Sequence, residues 1–322
     1  MKFWLRILHA AKKTVYCDIL RRMKILVSGS HGLVGRALVK SLIDDGHEVV
    51  RLVRHDRTLG AFEIEWHPNQ GRVDAQQLEG FHAVIHLAGE SIASGRWSEA
   101  KKKAIRESRV LGTVLLSHTL ARLSQPPSVF ICASAIGYYG SRGDELLTET
   151  SEMGTDFLAL VCVAWEQATH EAAKKGIRTV NARFGIILDR DGGALAKMLT
   201  PFRMGIGGRI GNGRQWMSWI TLEDVVAALK FVLLDTSARG PVNFVSPNPV
   251  TNAEFTQTLG RVLSRPTIFP VPAFAARLAF GEMADALLLS SQRVQPAVLE
   301  DKGFPFYWPT LQAALWHLLK ER

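Results

Sequence analysis

The sequence predicts an α/β protein built on a doubly wound parallel sheet, with a smaller interleaved substrate lobe and a helical C-terminal segment. Three observations carry this. Strand-like and helix-like segments alternate from residue 24 onward, a pattern that only a parallel sheet with crossover helices accommodates. The strands are short apolar runs such as "AVIH", as expected where both faces are covered. A glycine turn, Gly29-x-x-Gly32-x-x-Gly35, lies between the first strand and the first helix, the setting in which that spacing carries meaning.

The first unit, "MKILVSGSHGLVGRALVKSLIDDGHEVVRLVR", reads as strand Ile25 to Val27, the glycine turn, a helix with Leu33, Ala37, Leu38 and Leu42 at helical spacing, and strand Val49 to Val53. Its turn residues Gly29, Ser30, His31, Gly32, Leu33, Val34 and Gly35 would cradle a pyrophosphate. Gly29 allows the tight turn, Gly32 lets backbone approach the anion, Gly35 lets helix and strand pack closely, and the helix N-terminus supplies unpaired N–H groups. A carboxylate at the end of the second strand would accept from a ribose 2′-hydroxyl, whereas an arginine pairs with a 2′-phosphate. That position holds Arg54, with Arg51 and Arg57 nearby and Asp56 two residues late, which favours NADP over NAD. His31 is either a second contact to that phosphate or an exposed loop histidine.

Next come "AVIHLAGE", a buried strand ending in Leu87, Ala88 and Gly89, whose small residues let a cofactor lie across the sheet edge; a helix through Ile105, Val110, Leu111, Val114 and Leu115; the strand "SVFICASAIGYYG"; and the strand "IRTVNARFGIIL". "PFRMGIGGRIGNGRQWMSWI" reads as a shaped loop, with Arg203, Arg209 and Arg214 available to an anionic substrate and Trp216 or Trp219 to a ring. Trp219 reads more readily as a plug between lobes, and Asp224 as a helix N-terminal residue. The tail reads as short helices, the last with Leu311, Ala314, Leu315 and Leu318 on one face. The expected organisation is an extension at 1–22 outside the fold, with Met23 as a second possible start, then a cofactor domain at 23–235 and a substrate-side lobe at 236–322.

Composition narrows the function classes. The chain has 322 residues, 47% of them hydrophobic, enough for a full core. It shows neither a membrane-spanning run nor a signal peptide, from which a cytoplasmic location is expected. Three separated cysteines without ligand spacing indicate neither disulfides nor a metal site. Net charge is +9, but the first 22 residues alone hold six Lys or Arg against one Asp, so the body is nearly balanced; the basic run at 101–103 reads as a solvated helix face, not a nucleic-acid surface. The expected partner is a small molecule, with no nucleic acid and no membrane, for a monomer or homodimer.

In order along the chain, the glycine turn, "HLAG", "RVLGT", "YYG" and "SWITLEDV" resemble the extended short-chain dehydrogenase/reductases of the nucleotide-sugar epimerase type. "GRWSEAKKKAIRESRVLGT", "SAIGYYG", "AWEQA", "GGALAKML", "GNGRQWMSWI" and "LLLSSQRVQPAVLEDKGFPF" are similar to an atypical group within it, the epimerase family proteins, which end in a short domain of unknown function. The resemblance implies a Rossmann-type fold over about residues 23 to 317, NADP as cofactor, and Arg109 of "RVLGT" among the cofactor contacts. Its active members carry a Tyr-x-x-x-Lys pair on one helix face and an upstream Ser or Thr. Here neither tyrosine nor lysine occurs from Gly140 to Ala173, the helix offers Cys162-x-x-x-Glu166 instead, and Ala135 takes the serine position with Ser134 beside it. The candidate catalytic groups are therefore Tyr139 first, then Ser134, Cys162 and Glu166, with Tyr138 on the substrate side. Two functions follow: an NADP-dependent epimerase-like oxidoreductase acting on a small polar or anionic substrate, or a non-catalytic NADP-binding sensor or scaffold, as in relatives associated with cell division.

Overall fold

The computed structural model describes residues 22–54 and 59–321; the expected extension at 1–22, apart from its last residue, lies outside them, as do Asp56 and Arg57. In chain order the strands are β1 (Lys24–Ser28), β2 (Glu48–Val53), β3 (Glu63–His67), β4 (Arg72–Val73), β5 (Ala83–His86), β6 (Val129–Ala135), β7 (Leu146–Leu147), β8 (Arg178–Phe184), β9 (Ile186–Leu188), β10 (Trp216–Met217), β11 (Trp219–Thr221), β12 (Gly240–Phe244), β13 (Val250–Thr251) and β14 (Arg293–Val294). Eight of them form the main sheet in the order β12-β8-β6-β5-β1-β2-β3-β4. All its pairings are parallel except β3 with β4.

Alternation along each strand divides the core into two layers. Ile25, Val27, Ala83, Ile85, Val129 and Ile131 face Leu38 and Leu42 of helix Leu33–Asp44 and Val225, Ala228 and Leu229 of helix Leu222–Leu234. Their neighbours Leu26, Val84 and Phe130 face Leu116 and Leu120 of helix Glu99–Leu120 and Trp165 of helix Phe157–Gln167. Strand order reverses between β1 and β5, so the ligand crevice lies where those two strands end.

Three departures from the sequence reading have local causes. The expected single strand at 177–188 breaks at Gly185, where a side chain would come within 2.7 Å of the Ser218 carbonyl oxygen; beyond it β9 leaves the main sheet to pair with β11. The segment expected as a loop at 201–220 begins inside helix Gly193–Arg203 and ends in β10 and β11. The expected boundary at 235 cuts the main sheet, because β12 closes its edge beside β8. The second lobe has its own core, in which Leu311, Ala314 and Leu315 of helix Leu311–Lys320 meet Phe255 and Leu259 of helix Asn252–Leu263 and the buried Trp219.

Asp224 is indeed in the first turn of its helix, fully buried, where its carboxylate accepts from the backbone N–H groups of Tyr307 (2.7 Å) and Trp308 (3.1 Å), pinning the tail to the sheet domain. The basic run is occupied by carboxylates: Lys101 pairs with Glu90, Lys102 with Glu99 and Glu282, Lys103 with Glu107. Among the described residues no helix is long and apolar enough to cross a membrane, and no cluster of His, Cys, Asp or Glu could hold a metal ion.

Candidate functional site

At two of its three glycines the turn leaves no room for a side chain. Gly29 has φ +69°, and a Cβ on it would come within 2.6 Å of the Leu87 carbonyl; one on Gly35 would come within 2.2 Å of the Gly29 oxygen. Helix Leu33–Asp44 starts at Gly32 without a side-chain cap and without an acidic residue in its first turn, so its N–H groups are left for an anion. The neighbouring Ser30 hydroxyl is buried with no hydrogen-bond partner among the described residues, a group that a phosphate oxygen would satisfy. A cavity of about 400 Å³ lined by Ser30, His31, Arg36 and Arg51 lies beside the turn. Leu33 packs over Gly192, so the turn also borders the entry to the second lobe, and Val34 packs on the core.

Across the crevice, Leu87 hydrogen-bonds from its N–H to the Ser28 carbonyl, and Ala88 and exposed Gly89 continue along the rim. The hydrogen bond from Lys101, with the charges of Arg54 and Arg109, holds the Glu90 carboxyl below its usual range. Exposed Arg54 thus projects its charge onto the same rim that Arg109 reaches from helix Glu99–Leu120.

The second half of the site is a polar row across the sheet. Ser134 on β6, Arg183 on β8 and Asn243 on β12 are register neighbours at the carboxyl ends of their strands. The Arg183 guanidinium donates to both Glu166 carboxylate oxygens (2.7 and 2.8 Å) and to the Tyr139 hydroxyl (2.9 Å). Ser134 donates to Glu166 (2.7 Å), and Tyr139 donates to Asn243 Oδ1 (2.7 Å). Glu149, its carboxyl raised by burial, accepts from the Asn243 N–H at the far end. Arg183, 3% exposed in its side chain, also lies 3.5 Å from the centre of the Tyr138 ring, a cation–π stack.

A family model for the NAD-dependent epimerase/dehydratase family matches residues 25–244, and one for a domain of unknown function, DUF1731, matches residues 271–318. The chain belongs to the NAD-dependent epimerase/dehydratase family. It is similar to the epimerase family protein Mb2239 of Mycobacterium bovis, with 44% identity over 90% of this chain and 96% of the relative, and to the epimerase family protein YfhF of Bacillus subtilis, with 36% identity over 93% and 99%. Among solved structures it is similar to human epimerase family protein SDR39U1, crystallised with NADPH, with 33% identity and a TM-score of 0.84 over 92% of this chain and 99% of that one.

Within this family frame the four expected catalytic groups separate. Tyr139 is not at the mouth: it is fully buried, its hydroxyl is committed to Asn243 and Arg183, and burial pushes the phenol up to about 12. Ser134 and Glu166 are brought together, the serine donating to the carboxylate and the carboxylate paired with Arg183, so Glu166 is neither a free base nor a surface carboxylate. Cys162 is buried and its thiol is pushed up to about 12 by burial and by Glu166, which leaves a small apolar side chain at neutral pH. The helix face toward the turn after β6 carries Leu158 and Cys162, whose atoms lie 3.5 and 3.7 Å from where a Gly137 side chain would begin; the pair on that face is therefore 158 and 162, one turn earlier than expected. Of the two readings of Trp219, the substrate contact does not fit: the ring is fully buried in the core of the second lobe with its indole N–H on the Asn248 carbonyl. Tyr138 is half-buried, while Arg209 and Arg214 are exposed on the second lobe. Sequence reading missed Arg183 and Asn243. The signal was present in "NARF" and "VNF", polar residues inside otherwise apolar strands.

Proposed function

We propose that the protein is an NADP-dependent, epimerase-like oxidoreductase acting on a small polar or anionic substrate, with Tyr138 in place of the family's helix-borne tyrosine. The observation that carries it is the uncapped helix start at Gly32, with exposed Arg54 just past the end of β2, the strand paired beside β1. Support comes from the human relative of 33% identity crystallised with NADPH. The glycine turn and Ser30 would hold the diphosphate. Arg54, with Arg51 and His31 beside the turn, would hold the 2′-phosphate. When bound, the nicotinamide supplies a hydride donor or acceptor.

Tyr138 is the remaining phenol at the end of β6, and its stack on Arg183 fixes the ring while the Glu166 pair fixes Arg183. Ser134 and Glu166 act as positioning residues behind it. Arg209 and Arg214, exposed on the facing lobe, suit an anionic substrate. A non-catalytic NADP-binding protein is the second reading, favoured by the apolar Leu158 and Cys162 on the helix face where the active relatives carry phenol and ammonium.

The test is to identify by mass spectrometry the nucleotide that copurifies, then to screen metabolites for its oxidation. Oxidation of bound NADPH by any metabolite supports the enzyme; a bound nucleotide inert to all of them supports the binding protein. Arg54→Ala should weaken NADPH about 10- to 100-fold more than NADH, because only NADPH loses a charge-assisted contact. Equal loss for both nucleotides would sink the NADP assignment.

A further inference from the structure

The loop at 90–97 leaves the crevice rim directly after Gly89 and reaches the second lobe. It is tied to itself. The Trp97 indole N–H donates to the Ile92 carbonyl (2.8 Å), the Ser94 hydroxyl donates to the Ser91 carbonyl (3.2 Å), and the Lys101 ammonium reaches both the Glu90 carboxylate (2.6 Å) and the Ser94 hydroxyl (2.8 Å). These bonds make the loop one compact unit, in which Ile92 and Trp97 are half-buried and the other residues exposed.

Its contacts with the second lobe are of another kind. Lys197, exposed on helix Gly193–Arg203, donates to the Ala93 carbonyl (2.8 Å), and just beyond the loop Lys102 pairs with Glu282 (2.9 Å). The Arg96 guanidinium lies 3.4 Å from where a side chain on Gly281 would begin. No residue of the loop joins the core of that lobe, so an exposed hydrogen bond, an ion pair and one close packing contact hold the two together. Polar contacts at a surface break readily, and the loop's internal bonds survive the break. The helix that bears Lys197 also touches the other wall of the crevice, because Leu33 of the glycine turn packs over Gly192 at its start. One helix therefore closes on both walls. Resting on the NADP reading above, we propose that loop 90–97 is a strap that shuts the crevice over the dinucleotide, and that its latch, Lys197 on the Ala93 carbonyl with Lys102 on Glu282 beside it, sets how fast the cofactor enters and leaves. A latch acts on entry and exit alike, so breaking it raises both rates and leaves the equilibrium nearly unchanged, whereas losing a residue that touches the cofactor shifts the equilibrium.

Stopped-flow fluorescence on the full chain measures both rates, with NADPH binding in one experiment and its displacement by excess NADP in the other. Lys197→Met, which keeps the stem and loses the ammonium, should raise association and dissociation each about 3- to 10-fold and leave the Kd within about 2-fold. Lys197→Arg, which can still donate to the carbonyl, should return both rates to those of the wild type. Glu282→Gln, at a side chain half open to solvent, should move both rates the same way by about 2- to 3-fold. Unchanged rates in Lys197→Met would overturn the proposal, as would a faster dissociation matched by an equal loss of affinity, which would make Lys197 a cofactor contact and not a latch. Failure of the wild-type protein to bind NADPH at all would overturn the cofactor reading itself, a result recognisably different from either.

Discussion

Tyr138 and Tyr139 carry the same phenol one residue apart, yet the 3-10 turn after β6 sends one ring onto the outer side of Arg183 and the other into the core. Tyr139→Phe should therefore cost stability, about 1 to 3 kcal/mol by urea unfolding, because it strands Asn243 and one arm of Arg183, while the folded variant keeps its turnover. Tyr138→Phe should leave stability and NADPH affinity in place and slow single-turnover nicotinamide oxidation about 100- to 10,000-fold. The opposite pairing of effects would return the acid to Tyr139. A second residue-scale consequence concerns His86, fully buried beside Ser28 and Trp66, whose imidazole burial pushes down to about 3. The folded state binds no proton there, whereas the unfolded chain does so below about 6.5. The stability is present above that value and is lost as pH falls toward 3, at up to about 1.4 kcal/mol per pH unit. Chemical denaturation between pH 6.5 and pH 4 should show this slope reduced in His86→Gln; an unchanged slope would mean that other groups carry the acid sensitivity.

At the scale of elements, the strand–turn–helix unit was legible because its glycines, periodicity and punctuation all agree. Gly35 makes the point. A methyl group there meets the Gly29 oxygen at 2.2 Å, so Gly35→Ala must push helix Leu33–Asp44 away from β1. We expect a loss of about 1 to 3 kcal/mol in stability, together with at least a tenfold loss of NADPH affinity, since the proposed function gives the same helix start to the diphosphate. Retained affinity would mean that the turn is not the phosphate cradle. The helix Phe157–Gln167 was legible as a helix but not in its rotation about its axis. Its composition is apolar on every side, so only packing against Gly137 shows that Leu158 and Cys162 face the turn and that Glu166 reaches the sheet. β3, "EIEWH", alternates as a strand should, but five residues beside an unassigned loop gave too little pattern to place it.

For the whole molecule, the two lobes depend on segments far apart in sequence. Leu315, fully buried near the C-terminus, packs in the core that also holds Trp219 and Leu259. Leu315→Ala should cost about 2 to 5 kcal/mol, and because that core belongs to the second lobe, NADPH affinity of the folded fraction should change less than twofold. A variant that melts like the wild type would show that the tail helix contributes little to the fold. The sequence by itself determined the alternating α/β architecture, the glycine turn, Arg54 at the end of β2 and the absence of the Tyr-x-x-x-Lys pair, because each is a local pattern whose meaning depends on residues a few positions away. Only the tertiary structure decided that Tyr139 is buried, that Ser134, Glu166 and Arg183 form one network, and that Arg109 lies over the Trp165 ring. Those facts depend on register between β6, β8 and β12 and on how two helices rotate against the sheet, and long-range packing sets both.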